Sequence, residues 1–104
     1  METKLYPLGG GEAVIEVSGR FEPKFREHFR STAEIAVVLA AREVLVDLRN
    51  LSYIDAGGVD ELRELTSNAQ AFGKQVALLN PSGAVRRHLE LARFERIFHA
   101  AEYH

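Results

Sequence analysis

Residues 43–62, EVLVDLRNLSYIDAGGVDEL, decide the fold. The stretch opens on Val44-Leu45-Val46-Asp47-Leu48, a short β-branched run that suits burial on both faces of a sheet. It closes on Val59 and Leu62, and Leu65 just beyond continues the three-residue spacing of one helix face. Asp55, Ala56, Gly57 and Gly58 lie between. The reading is a buried strand, a tight glycine-containing loop and a helix. A helix start carries backbone N–H groups without intrahelical partners, so the loop is a natural place for a partner, an anion or a modified side chain.

On the N-terminal side, Lys4–Leu8 reads as an edge strand, with Pro7 tolerable at its end. Gly9-Gly10-Gly11 is a turn. In 13–18, Ala13, Ile15 and Val17 alternate with Val14, Glu16 and Ser18, the period of a strand. Gly19 is expected to end that strand, and the two strands to form a hairpin. Pro23 starts a helix that runs to about residue 41, with Phe25, Phe29, Ala33, Ala36 or Val37, and Ala40 on its apolar stripe. Its second half adds Ile35, Val38 and Leu39 and is apolar almost all round. Burial on several sides is the expectation there, and a contact surface is the alternative.

On the C-terminal side, residues 50–54 read as a connection with Leu51 and Ile54 tucked inward. The helix after the loop spans 58–72, with Val59, Leu62, Leu65, Ala69 and Phe72 as its stripe and Gly73 as its stop. A strand follows at 75–80. Ser82 is a candidate N-cap for a last helix lined by Val85, Leu89 and Ala92. Phe94, Ile97 and Phe98 are apolar enough to pack back, in a short strand or helix near Ile97, and the tail AAEYH is expected to fray. The order predicts an α/β fold, one domain over 1–104. Its sheet is mixed and mostly parallel, with about four or five strands and three or four helices.

Composition removes several function classes. Apolar residues are 46% and charged residues 27% of the chain, a globular balance. The net charge of −2 offers no basic field for nucleic acid. With no cysteine there is no disulfide, thiolate metal site or cysteine nucleophile. No stretch is long and apolar enough for direct membrane insertion. The N-terminus lacks a signal-peptide pattern, so the expected location is cytoplasmic. His28, His88, His99 and His104 form no ligand cluster, so no metal is expected, and neither are catalytic residues or a cofactor. An enzyme or ligand binder of flavodoxin type would need a phosphate loop or catalytic group at the strand ends, and neither is present.

The 43–62 stretch resembles the central signature of the STAS domain, the fold of bacterial anti-sigma factor antagonists. Asp47-Leu48 matches its strand end, Asp55 its loop aspartate, and Gly58 the glycine that follows the phosphoacceptor. In switchable antagonists the residue before that glycine is a Ser or Thr that a kinase phosphorylates. Here it is Gly57, preceded by Ala56, so that position has no hydroxyl to modify. Gly19-Arg20-Phe21-Glu22, about 35 residues earlier, resembles the family's Gly-x-Leu-Asp-like step, with Phe21 for leucine and Glu22 for aspartate. In that fold the two loops share one end of the sheet. Residues 77–98, ALLNPSGAVRRHLELARFERIF, resemble the family's C-terminal half, so the resemblance runs from about Glu12 to Phe98.

The resemblance implies a non-enzymatic protein–protein interaction module that docks an anti-sigma factor or serine kinase-type protein. The partner-binding residues it implies are Arg20, Phe21, Glu22, Asp55, Ala56, Gly57, Gly58, Val59, Asp60 and Leu62. An alternative in the same family is a cytoplasmic subunit that braces the ATPase of a lipid-transporting ABC system. A homodimer is left open. The residues themselves support plainer roles as well. Asp55 suits an N-cap. Ser52, next to the phenol of Tyr53, is a candidate alternative phosphosite or a turn hydroxyl bonded to backbone. Asp60, Glu61 and Glu64 favour the helix dipole, and with no Lys or Arg in the loop they are expected to repel an anion. Arg86-Arg87-His88 with Arg93 and Arg96 reads as a solvated basic face that could meet an acidic partner.

Overall fold

The computed structural model describes residues 1–101. The end of the tail, His104 included, lies outside the described residues. Five strands form one sheet: β1 (Glu2–Pro7), β2 (Glu12–Phe21), β3 (Glu43–Ile54), β4 (Gln75–Leu79) and β5 (Ile97–Phe98). They lie side by side in chain order, β1 antiparallel to β2 and every later pair parallel. Three helices make the crossovers: α1 (Arg26–Leu39), α2 (Ala56–Ala71) and α3 (Gly83–Leu91), with a 3-10 turn at Pro23–Phe25 before α1. The fold class expected from sequence is the one observed.

The buried apolar side chains of the three helices pack into one cluster on one face of the sheet. Phe29, Ala33, Val59, Leu62, Leu65, Val85 and Leu89 meet Ala13, Ile15, Val17, Val44, Val46 and Leu78 there. The opposite face holds a smaller cluster of Val14, Leu45, Ala77 and Leu79, flanked by Tyr6 and Leu8. Tyr6, Val14, Leu45 and Ala77 stand in one cross-strand row. No helix residue joins that cluster among the described residues. Burial of the central run on both faces is thus achieved, but one cover is helical and the other is the strands' own neighbours.

β3 is longer than its reading. Residues 50–54, expected to be a connection, continue the strand to Ile54. Opposite the steps Glu16 to Ser18 and Gly19 to Arg20 on β2, β3 carries an extra residue each time. Two bulges therefore turn alternation into a three-residue repeat in which Leu48, Leu51 and Ile54 all point inward. β2 likewise runs through Gly19, which holds φ +91° at the second bulge instead of ending the strand.

Three further differences concern helices. The second half of α1 is not enclosed: Ile35, Val38 and Leu39 are 59%, 82% and 44% exposed. Helices cover this face in a single layer, so α1 keeps an outer face whatever residues it carries. Phe72 is exposed because α2 has ended by then, with Gly73 (φ +71°) and Lys74 donating to Gln70 and Ala69 in a Schellman close. Ser82 occupies the N-cap position of α3 but makes no side-chain capping bond. No helix among the described residues is long and apolar enough to cross a membrane.

Candidate functional site

Parallel strands place the β2–α1 and β3–α2 connections at the same end of the sheet. Backbone and side chains then tie them together. The Asp55 amide donates to the Phe21 carbonyl at 3.4 Å. The Ser52 hydroxyl donates to the Gly19 carbonyl at 2.9 Å, the role of a hydroxyl bonded to backbone. The Arg20 guanidinium lies 4.2 Å from the centre of the Tyr53 ring, a cation–π contact across the same seam. Arg20 also donates to Glu22 at 2.7 Å, and that hydrogen bond holds the Glu22 carboxyl below the usual glutamate range.

The turn into α2 is built by Asp55 and Gly58. Asp55 keeps extended torsions at the N-cap and its Oδ1 accepts from the Gly58 amide at 2.7 Å. That bond satisfies one of the free donors of the first turn. Gly58 is buried against Phe21 and Ile54, and a Cβ there would stand 2.7 Å from the Ile54 side chain and 3.0 Å from the Phe21 ring. Position 58 is therefore glycine because the two loops close over it.

Two arginines that the loop sequence does not contain complete the site. Arg26, at the start of α1, donates to Asp55 Oδ2 at 3.3 Å. One turn later, Arg30 holds Glu61 with two hydrogen bonds of 3.2 and 2.6 Å. The acidic fringe expected at this helix start is correspondingly reduced. Glu61 is buried at 9% exposure and paired, and Asp55 faces a cation, so Asp60 and Glu64 are the exposed acids there. A groove of about 170 Å³ between α1 and α2 beyond the Arg30–Glu61 pair is walled by Glu34 and Glu64, a poor setting for an anion.

The ten residues implied as partner-binding fall into two groups. Phe21, Gly58, Val59 and Leu62 are buried and form the floor of the loops. Arg20, Ala56 and Asp60 are exposed, and Glu22, Asp55 and Gly57 are half-buried. The presented rim is therefore Arg20, Glu22, Asp55, Ala56, Gly57 and Asp60. Arg26 and Arg30 were not legible as part of it, because each is about 30 residues from its partner. The basic strip of the C-terminal segment is divided: Arg86 pairs with Glu90, while Arg96 turns to Glu43 and the Val76 carbonyl. No group of His, Asp and Glu among the described residues could hold a metal ion.

Comparison with known proteins identifies a family from sequence and the same fold in solved structures. A family model described as "Mlab, STAS domain" matches residues 6–99. A STAS-domain containing protein of Pseudomonas aeruginosa (strain UCBPP-PA14) is 34% identical over 96 residues, covering 92% of this chain and 94% of that protein. The anti-sigma factor antagonist SpoIIAA in its unphosphorylated form superposes with a TM-score of 0.85 at 22% identity, over 97% of this chain and 90% of that one. An anti-sigma factor antagonist from Mycobacterium paratuberculosis gives 0.78 at 16% identity, over 88% and 76%.

Proposed function

The chain belongs to the STAS domain family, and from that premise we propose that it is a non-enzymatic protein–protein interaction module of the anti-sigma factor antagonist kind. It works as one domain in the cytoplasm. The rim of Arg20, Glu22, Asp55, Ala56, Gly57 and Asp60, with the outer face of α2, docks an anti-sigma factor or serine kinase-type protein. The observation that carries this reading is the accessible turn at 55–57, at one end of the sheet, packed through Gly58 onto Phe21 and Ile54. A solvent-facing loop positioned by a packed scaffold is where recognition is ordinarily placed.

Control by phosphorylation is not available at position 57, so binding follows protein concentration, oligomerisation or another site. A second reading is favoured by that same position. A subunit that braces an ABC ATPase needs no phosphoacceptor, and a hydroxyl-free loop suits it. One affinity capture from the native cell separates the two: an anti-sigma factor or kinase supports the first, an ATPase with a permease the second. Ala56→Arg, at an exposed position, is expected to abolish either capture without loss of folding, and retention of the partner would sink the proposed surface. Incubation with a captured kinase and ATP is expected to leave residues 50–60 unmodified. A phosphate on Ser52 or Tyr53 would restore a switch in altered form.

A further inference from the structure

Gly57 lies in the first turn of α2 with ordinary torsions, outside the positive-φ glycines of the chain. Its backbone does not require glycine, and alanine would be the better helix former there. The obstacle is tertiary. A Cβ on residue 57 would fall inside the Arg26 guanidinium, on Cζ, Nη2 and Nε. That guanidinium is fixed from one side by the Asp55 carboxylate, yet its Nε is buried without an acceptor. A buried donor without a partner is unfavourable. Arg26 is thus placed there by the fit of its flat head into the space over Gly57, not by a full set of hydrogen bonds.

We infer that Arg26 is a built-in occupant of the side-chain slot at position 57. A side chain at 57 and the Arg26–Asp55 contact exclude one another, so the two positions are energetically coupled. This rests on the reading of the 55–58 loop as the docking site and deepens it: the space over position 57 is taken by a planar cation that also meets Asp55, so the surface a partner meets there includes Arg26.

The test is thermal melting of four proteins: the parent chain, Gly57→Ala, Arg26→Ala and the double variant. In the parent background Gly57→Ala is expected to leave Tm unchanged or lower it, because Arg26 must be expelled. In the Arg26→Ala background the same substitution is expected to raise Tm by about 4 °C, the scale of a helix-propensity gain in a domain of this size. An equal rise in both backgrounds overturns the inference. Arg26→Met, which keeps an apolar stem, serves as a second background and must show the same reversal should Arg26→Ala fold poorly. Melting needs no partner. A failed capture therefore sinks the docking reading and leaves this coupling standing, while additive melting shifts sink the coupling alone.

Discussion

At the scale of single residues, the two adjacent glycines of the turn have different causes. The Cβ position of Gly57 coincides with the Arg26 guanidinium, and that of Gly58 lies against Ile54 and Phe21. The Gly58 neighbours are core groups that cannot swing away. Gly58→Ala is therefore expected to destabilise by about 2 kcal/mol, an overpacking cost, in a urea unfolding curve with unchanged slope. The Glu22 carboxyl gives a pH signature. Its hydrogen bond from Arg20 depresses the folded value, so the associated stability is present above the ordinary glutamate range and fades as pH falls through the folded value. An NMR titration is expected to place the Glu22 midpoint below that of a free glutamate, and Arg20→Ala to move it back up. An unmoved midpoint would show that another group sets it.

Among the elements, α1 and α2 are joined by apolar packing and by the Arg30–Glu61 pair. The two partners are unequal. Arg30 is 56% exposed at its side chain and Glu61 10%. Removing Arg30 leaves a buried carboxylate without a counter-charge, whereas removing Glu61 returns a guanidinium to water. Arg30→Ala is accordingly expected to lower stability more than Glu61→Met, and Arg30→Ala with Glu61→Met to recover part of the loss. Chemical denaturation of the three variants checks the order, and equal losses would mean that Glu61 reaches water without its partner. α3 shows a different compromise. Arg93 takes φ +65° at the residue after the C-cap, where Phe94 and Arg93 donate to Leu89 and Glu90. Glycine is the usual resident there, and the left-handed torsion costs another residue about 1 kcal/mol.

For the molecule as a whole, one layer of helices on one face of a five-stranded sheet leaves one surface that sequence patterning misjudges and one whose burial it anticipates without its cover. The outer ridge of α1 carries Ile35, Val38 and Leu39 in solvent. Val38→Lys is expected to change unfolding free energy by no more than about 0.5 kcal/mol, as is usual at exposed positions, which a denaturation curve reads directly. A loss on the scale of a core substitution would place Val38 inside. On the helix-free face Val14, Leu45, Ala77 and Leu79 are buried with Tyr6 and Leu8 packed against them and, among the described residues, no helix.

The sequence by itself determined the element order, the hairpin, the central strand, the capped turn and the family, because each is a local pattern of period, cap or motif within some 20 residues. It determined also that position 57 has no hydroxyl. The length of β3 escaped it, since two bulges space Leu48, Leu51 and Ile54 three apart and disguise a strand as a loop. Only the tertiary structure decided which loop residues face solvent, that Glu61 is buried, and that Arg26 stands in the place of a side chain on Gly57. Those outcomes depend on two crossovers that bring residues about 30 apart into contact, a distance over which no periodicity carries information.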